Sequence, residues 1–232
     1  MAENELISVI IPTKNEKDYI EDSLISLKNQ TYKNIEIVVV DDCSADGTAS
    51  IAKKYADKII VKKTNISEAK NLGAKHAKGK ILLFTDADNK LLSDWIENAL
   101  ENIDGCDAVI GNVHPKGEKA ILVKGIYKLC LKITPLVNNI SLGGIPIMVK
   151  KDIFDKVGGF NEKFASYEDV DFLNKVKRSG KIRLSKKSLG LLSTRRIQKQ
   201  GYLRFLLSVY GQGIYYLLKG TPYHKESYPI FR

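Results

Sequence analysis

Two aspartates separated by one residue, Asp86 and Asp88, are the side chains whose types and spacing most directly suggest chemistry. They follow the apolar run 80–85, which is typical of a buried strand of a parallel sheet. Open α/β sheets bind ligands in the crevice at the carboxyl ends of their strands. Mg²⁺ and Mn²⁺ prefer oxygen ligands and commonly combine one or two protein carboxylates with substrate phosphates. The pair therefore predicts a Mg²⁺ or Mn²⁺ site for a phosphate-bearing substrate, and a D-x-D loop that binds no metal is the alternative.

A second acidic pair, Asp41 and Asp42, follows the predicted strand 35–40. If the two strands belong to one parallel sheet, both acidic pairs lie at the same edge. Like charges at one edge repel one another unless a cation or hydrogen-bond donors compensate them. A metal at the first pair, and a hydrogen bond from a base or ribose at the second, would remove this repulsion. The alternative is a simple turn in which Ser44 or Asp46 caps the following helix.

The elements that must position these acids alternate between strand and helix over the first 110 residues. The predicted strands are 6–11, 35–40, 59–62, 80–85 and 108–111, and the predicted helices are 18–29, 49–55, 67–76 and 95–101. This alternation predicts an α/β fold with a mostly parallel central sheet flanked by helices. After residue 113 the pattern changes to predicted helices at 120–133 and 170–177, a short strand within 141–149 and a tight turn at Gly158-Gly159-Phe160.

The bulk composition fits one soluble globular domain. The chain has 232 residues, of which 44% are apolar and 28% charged. Its three cysteines are too scattered for a disulfide framework or a zinc site, so we expect a reducing, cytoplasmic environment. The polar N-terminus does not resemble a signal peptide. The longest charge-free apolar stretch, 205–218, has 14 residues, fewer than the about 20 that a membrane-spanning helix needs.

Charge is distributed unevenly along the chain. Residues 172–232 contain 14 Lys/Arg and one acid, a net charge of +13, whereas the first 171 residues carry −3. This predicts that the C-terminal quarter contacts something negative, and a solvated basic surface is the alternative. The aromatic and apolar segment 202–219 fits an interfacial helix on the cytoplasmic face of an anionic membrane, or a helix that packs on the domain or on a partner.

Several short motifs occur along the chain in a fixed order. They are Ser8-Val-Ile-Ile-Pro-Thr-Lys-Asn-Glu16, Val38-Val-Val-Asp-Asp-Cys-Ser44, Asp46-Gly-Thr48, Asn71-Leu-Gly73, Ala77-Lys-Gly79, Thr85-Asp-Ala-Asp88, Gly158-Gly-Phe160, Tyr167-Glu-Asp-Val-Asp171 and Ser193-Thr-Arg-Arg196. Together they resemble family 2 glycosyltransferases with the GT-A fold, over about residues 6–201. The resemblance implies a catalytic domain at 1–201, with a nucleotide-sugar half up to about 113 and an acceptor half after it. A basic and aromatic segment, 202–232, would follow this domain.

The resemblance also implies roles for individual residues. Asp88, helped by Asp86, would ligate Mg²⁺ or Mn²⁺ on the diphosphate of a UDP- or GDP-linked sugar. Asp42 would accept a hydrogen bond from the nucleotide base, and Asp169, with Glu168 beside it, would be the general base. The other residues that would contact the nucleotide sugar are Pro12, Thr13, Glu16, Asp41, Lys70, Ala87, Arg195 and Arg196.

The chemistry suits these residue types, because sugar transfer needs a neutralised diphosphate and a carboxylate that takes a proton from the acceptor hydroxyl. One base and no protein nucleophile imply a single displacement that inverts the anomeric carbon. The acceptor would be a growing glycan or a lipid-linked molecule. The alternative for Glu168, Asp169 and Asp171 is that they stabilise the start of the predicted helix 170–177 through its dipole.

Two positions depart from the family pattern. Lys70 stands where the family often has arginine, so it lacks the bidentate fork of a guanidinium. Cys43 stands where the family usually has a small residue such as glycine, and we expect its side chain in the core.

Other functions remain as alternatives at this stage. A nucleotidyltransferase that makes sugar nucleotides would also hold a metal through aspartates, but it usually has a glycine-rich loop after its first strand, and residues 12–16 contain no glycine. A basic nucleic-acid-binding protein lacks a matching motif here, and the acidic edge would repel phosphates. We therefore expect no nucleic-acid partner. A sugar-binding protein without catalysis is a further alternative.

Overall fold

A computed structural model describes residues 4–116, 144–164 and 166–193, together with residues 215, 218 and 219. Its strands are β1 (Ile7–Thr13), β2 (Ile35–Asp41), β3 (Lys58–Val61), β4 (Ile81–Phe84), β5 (Asn89–Leu91), β6 (Ala108–Lys116), β7 (Ile147–Lys150) and β8 (Ile182–Ser193). Its helices are α1 (Ile20–Lys28), α2 (Thr48–Ala52), α3 (Ile66–His76), α4 (Trp95–Ile103), α5 (Lys151–Lys156) and α6 (Glu168–Ser179).

The eight strands that the structure describes form one sheet in the order β3-β2-β1-β4-β7-β6-β8-β5. Strands β1 to β4 are mutually parallel, with Thr13 paired to Asp41 at the carboxyl ends of β1 and β2. Strand β7 runs antiparallel to both β4 and β6, and β8 is parallel to β6. Strand β5 closes the sheet antiparallel to β8. The predicted α/β class with a mostly parallel sheet is therefore confirmed.

Helices cover both faces of this sheet, and each face has its own apolar core. One core joins α1 and α4 to the sheet, with Leu24, Leu27 and Trp95 fully buried. The other core lies under α3, α5 and α6 and centres on four packed phenylalanine rings. These rings are Phe84, Phe154, Phe160 and Phe172. A sheet buried on both faces explains why β4 is a continuous apolar run and why β1 and β2 are nearly so.

The elements predicted in the first 110 residues are all present, with ends shifted by a few residues. The predicted tight turn also occurs, since Gly158 and Gly159 have φ of +75° and +61°. Strand β5, helix α5 and strand β8 were not predicted. The predicted helix 120–133 and the segment 202–214 lie outside the described residues. Within the described part of the chain, no helix has the length and apolarity to cross a membrane.

Candidate functional site

The topology brings both acidic pairs to one edge of the sheet, as predicted. Strands β2 and β4 flank β1 and run parallel to it, so their carboxyl ends lead into neighbouring loops. Within the described residues, the three non-glycine residues with positive φ are Asn15 (51°), Cys43 (49°) and Tyr167 (60°). The first two lie in the loops that follow β1 and β2, and the third immediately precedes α6. Strained backbone of this kind clusters at functional sites and costs on the order of 1 kcal/mol per residue.

Asp42 lies in the loop after β2 and is held by cationic and backbone donors. Its carboxylate is 3.0 Å from Lys14 Nζ and 3.3 Å from Lys63 Nζ, and it accepts a hydrogen bond of 3.1 Å from the Thr64 backbone N–H. Burial opposes ionisation of Asp42, but these donors prevail and hold its pKa below the ordinary value. Asp42 is therefore a stable carboxylate at neutral pH and a hydrogen-bond acceptor at the rim of the site.

Asp41 has a different environment from its neighbour, because it is fully buried. Its carboxylate accepts hydrogen bonds from the Ser44 backbone N–H at 2.8 Å and from Ser44 Oγ at 2.5 Å. Asp46 accepts from the Thr48 N–H at 3.0 Å, but the N-cap residue of α2 is Gly47 and no side chain caps this helix, so neither Ser44 nor Asp46 is its N-cap. Ser44 instead binds Asp41 and accepts a hydrogen bond from the Asn15 N–H. The loop after β2 is thus fixed by its own side chains and by Asn15 in the loop after β1.

Cys43 is exposed, so the expected core cysteine was wrong. The loop passes through the left-handed region at this residue, where φ is 49°. That turn directs the side chain outwards, and it is a conformation that glycine adopts without strain.

The Asp86-Ala87-Asp88 turn joins β4 to β5. Ala87 is buried, and both aspartates are partly buried. The backbone N–H of Asn89 donates to the Asp86 carbonyl at 3.2 Å, and Asn89 Nδ2 donates to the Gly144 carbonyl at 2.7 Å. Asn89 therefore connects the acidic turn to the segment that begins at Gly144. Sequence reasoning missed this residue, because an asparagine after D-x-D carries no distinctive signal of its own.

Lys70 joins the two halves of the chain inside the site. It lies on α3, is 2% exposed, and its Nζ is 2.6 Å from Asp169 Oδ1 and 2.9 Å from Glu168 Oε1. The same ammonium lies 4.9 Å from the centroid of the Phe160 ring, a cation–π contact. Glu168 and Asp169 occupy the first turn of α6, where the helix dipole also favours negative charge. Helix α6 begins at Glu168, two residues before the predicted start, so both acids are inside it.

The charges in this cluster shift the pKa of two of its members. Burial raises the pKa of Asp169 to about 7, and the charges of Glu168 and Asp86 add to this effect while Lys70 opposes it. For Lys70, burial favours the neutral amine, but attraction by Asp169, Glu168 and Asp86 prevails and raises its pKa. These interactions put Asp86 in the same electrostatic cluster as Lys70 and Asp169. Two carboxylates thus contact one ammonium, and the charge of a third acid acts on it.

Helix α3 also holds the chain segment that leads to these acids. Asn71 forms two hydrogen bonds of 2.9 Å with the backbone of Phe160, one as donor and one as acceptor. Ser67 Oγ donates to the Phe164 carbonyl at 2.6 Å, and Asn65 Nδ2 donates to the Glu162 carbonyl at 2.8 Å. Asn65 and Glu68 also form a capping box at the start of α3. The backbone of residues 160–164 is therefore bound to one helix through several side chains.

Two buried polar atoms at this edge have no hydrogen-bond partner among the described residues. They are Thr13 Oγ1, at the end of β1, and Asn89 Oδ1, directly after the acidic turn. Buried polar groups are nearly always paired, so an unpaired one calls for an explanation such as a ligand or an ordered water. Thr13 is a predicted nucleotide contact. Glu16 is also a predicted nucleotide contact; it is buried, and its backbone N–H donates to Thr48 Oγ1 at 2.8 Å.

The residues at this edge suit a divalent cation only together with a substrate. Within the described ranges, no group of three or more His, Cys, Asp or Glu side chains is arranged to hold a metal ion. Two carboxylates plus substrate phosphates are, however, a common ligand set for Mg²⁺ or Mn²⁺. Three acids, Asp86, Glu168 and Asp169, are compensated here by one ammonium, that of Lys70. This excess of negative charge also favours a cation nearby. The predicted ligands Asp86 and Asp88 thus fit a metal that arrives with a diphosphate.

Some predicted site residues have a described position and others do not. The structure brings Lys70, Glu168 and Asp169 into contact, with the charge of Asp86 acting on Lys70, and it leaves Pro12 partly buried in β1. Arg195 and Arg196 lie outside the described residues, so their roles stay predictions. Lys63 and Asn71 were not predicted as site residues, although Asn71 belongs to one of the motifs.

Comparison with known proteins identifies the family of this chain. Residues 8–143 match a family model described as glycosyl transferase family 2. An uncharacterized glycosyltransferase of Haemophilus influenzae is 32% identical over 184 residues, which cover 74% of this chain and 62% of that protein. The chain therefore spans about three-fifths of the length of this curated relative.

Solved structures show the same fold. S. aureus TarS 1–349 in complex with UDP-GlcNAc is similar with a TM-score of 0.67 and 26% identity, over 82% of this chain and 58% of that one. The mannosyltransferase PcManGT from Pyrobaculum calidifontis, in complex with GDP-Man and Mn²⁺, is similar in fold with a TM-score of 0.69. That likeness covers 94% of this chain and 65% of the mannosyltransferase, at 22% identity. The GT-A fold expected from the sequence is confirmed.

Proposed function

Because the chain belongs to glycosyl transferase family 2, we propose that it transfers a sugar from a nucleoside-diphosphate sugar to an acceptor hydroxyl with inversion at the anomeric carbon. The observation that carries this proposal is the buried contact of Lys70 with Glu168 and Asp169 at the start of α6, on which the charge of Asp86 in the acidic turn also acts. The UDP-GlcNAc complex of the similar TarS supports a UDP-linked donor, and a GDP-linked donor is the other candidate.

The proposed reaction is a single displacement. The acceptor oxygen attacks the anomeric carbon, Asp169 takes the hydroxyl proton, and the bond from that carbon to the diphosphate oxygen breaks. The electron pair of the broken bond leaves with the nucleoside diphosphate. A buried carboxylate whose pKa is raised to about 7 is well matched to a general base at neutral pH. Glu168 shares Lys70 with Asp169 and keeps a second negative charge beside it.

The donor would lie across the carboxyl ends of β1, β2 and β4. Asp42 would accept a hydrogen bond from the base, and the unpaired hydroxyl of Thr13 would bind the nucleoside. Asp88 and Asp86 would hold Mg²⁺ or Mn²⁺, which would neutralise the leaving diphosphate. Arg195 and Arg196 would contribute further positive charge from the segment after β8.

We further propose the organisation that the sequence predicts. Residues 1–201 would form the catalytic domain, and 202–232 would be a basic, aromatic segment that contacts an anionic membrane. A lipid-linked acceptor or a growing glycan presented at such a membrane would fit this arrangement.

Nucleotide binding tests the donor site. We expect UDP or GDP to raise the melting temperature of the full chain in the presence of Mn²⁺, and this shift to disappear with EDTA or in Asp88→Ala. Asp94→Ala, at an aspartate outside the acidic turn, is the matched control and should keep the shift. An equal shift with EDTA present would contradict the metal-assisted donor site.

A second variant tests the catalytic role of Asp169. In Asp169→Asn, the oxygen that would accept the proton is no longer basic, so the release of UDP or GDP from the donor should fall at least about 100-fold. Nucleotide binding should stay within a few-fold of the wild type. Turnover at the wild-type rate would show that Asp169 is not the base.

A further inference from the structure

We propose that Lys70 is a positioning residue for Asp169, holding the carboxylate from α3 rather than binding the donor's phosphates. This inference rests on the proposed function, because it assumes that Asp169 is the base. It is motivated by the partners of Lys70, since the Nζ atom contacts the two acidic side chains of α6 at 2.6 and 2.9 Å.

The ion pair is buried on both sides. The side chain of Lys70 is 3% exposed, and those of Glu168 and Asp169 are 9% and 10% exposed. A buried ammonium is costly unless it is both paired and hydrogen-bonded, and here the two requirements are met by the same two carboxylates. Moving Nζ onto a phosphate would leave both acids buried without their cation. Lys70 is therefore better suited to holding Asp169 than to following the donor.

The rest of α3 supports the same role. Asn65, Ser67 and Asn71 bind the backbone of residues 160–164, so the segment before α6 is attached to the helix that carries Lys70. The chain then passes through Tyr167 with φ of 60° and starts α6 at Glu168. Lys70 adds a further attachment, and it is the one that contacts the side chain of Asp169 itself. Its hydrogen bond engages Oδ1, one of the two oxygens of Asp169.

The two possible roles of Lys70 predict different kinetics. A positioning residue affects the chemical step, since a displacement of the base by about 1 Å can cost about 100-fold in rate. A phosphate ligand affects donor binding. Lys70→Met keeps the unbranched apolar stem of the side chain and removes its charged end, so we expect kcat for nucleoside-diphosphate release to fall about 100-fold. The donor KM and the Kd for UDP or GDP should stay within a few-fold of the wild type.

Matched variants complete the experiment. Lys70→Arg keeps the charge and should recover most of the lost kcat. Lys75→Met removes an exposed lysine of the same helix and should leave kcat unchanged. If Lys70→Met fails to fold, Lys70→Met/Glu168→Gln removes one buried negative charge together with the cation and is compared with Glu168→Gln alone. We expect the double variant to have a lower kcat than Glu168→Gln and the same affinity for UDP or GDP.

The outcomes separate this inference from the proposed function. A tenfold or larger rise in the Kd for UDP or GDP, with kcat retained, would make Lys70 a phosphate ligand and overturn the inference. Unchanged kcat and Kd would also overturn it. The proposed function fails in a different way, if Asp169→Asn turns over like the wild type or if the wild type releases no nucleotide from UDP- or GDP-sugars.

Discussion

At the scale of single residues, the site depends on how one buried ammonium is shared among several acids. Lys70 contacts Glu168 and Asp169 directly, and the charge of Asp86 acts on the same group. A like charge close to a carboxylate disfavours its ionised form. Burial first, and its acidic neighbours second, raise the pKa of Asp169 to about 7 although Lys70 opposes this.

This pKa predicts how the reaction depends on pH. A general base acts in its deprotonated form, so kcat/KM for the donor should rise with pH, pass through half of its maximum near pH 7 and level off above it. The profile is measured by nucleotide release between pH 5.5 and 9 at fixed Mn²⁺. Exposed Asp18→Asn is the control, with an unchanged profile. A flat profile across neutral pH would contradict the assignment of Asp169.

Stability should change with pH in the opposite direction. The folded state binds the Asp169 proton more tightly than the unfolded state does, since the pKa is raised on folding. The contribution of Asp169 to the free energy of unfolding is therefore greatest below the ordinary pKa of an aspartate and falls as pH rises towards about 7. The loss of stability with rising pH and the titration of the base at neutral pH therefore have the same cause, the raised pKa of Asp169.

The sequence allowed the acidic residues of the site to be predicted, but not their partners. Asp41, Asp42, Asp86 and Asp88 follow apolar runs, and strand ends can be recognised locally. The contact between Lys70 and Asp169 joins residues 99 positions apart and depends on how α3 and α6 pack. No spacing rule covers such a contact.

At the scale of elements, α3 determines where the base lies, and it can do so because it packs very closely on the sheet. Gly73 faces β1 and β2 on the sheet side of the helix. A Cβ atom added there would be 2.4 Å from Ile10 Cγ2 and 3.4 Å from Val40 Cγ2. Ile10 is fully buried and surrounded by other core side chains, so it has little room to move. The glycine therefore sets the distance between helix and sheet.

Replacing this glycine tests the close approach. Gly73→Ala gains about 1 kcal/mol of helix propensity, but overpacking of a core costs about 1–3 kcal/mol. We expect net destabilisation of about 1 kcal/mol, measured by urea unfolding, together with lower turnover because α3 moves away from the sheet. Exposed Lys75→Ala, on the same helix, should change the free energy of unfolding by less than about 0.5 kcal/mol. A Gly73→Ala variant as stable as the wild type would show that the sheet adjusts easily.

Elements with a clear period were predictable, and elements without one were not. Strands β1, β2 and β4 are mostly apolar runs, and α1 and α3 have helical spacing. Strand β8 (Ile182–Ser193) has Lys186 and Lys187 at its centre and pairs with β6 across a shift in register between Ile110 and Asn112. Strand β5 has only three residues. These strands are stabilised by their neighbours in the sheet rather than by their own pattern.

At the scale of the whole molecule, positive charge is concentrated at the end of the sheet that carries β8. Six exposed cationic side chains lie within residues 177–187, and no acid occurs between residues 172 and 193. The six residues are Lys177, Arg178, Lys181, Arg183, Lys186 and Lys187. Leu184, between two of these cations in the sequence, is 50% exposed, and Leu218 in the C-terminal segment is 77% exposed. Cations interspersed with exposed apolar groups suit an anionic lipid surface.

Liposome flotation tests this proposed membrane contact. Each basic residue near an anionic surface contributes about 1 kcal/mol, so Lys186→Gln/Lys187→Gln should weaken binding to phosphatidylglycerol vesicles at least about tenfold. Lys53→Gln/Lys54→Gln removes the same charge from exposed residues beside β3, at the opposite end of the sheet, and should bind like the wild type. Equal losses in both variants would mean that only net charge matters. If the wild type bound vesicles equally well without anionic lipid, the proposed contact would be excluded. Both variants should bind nucleotide like the wild type, because the proposed donor site lies between these two ends of the sheet.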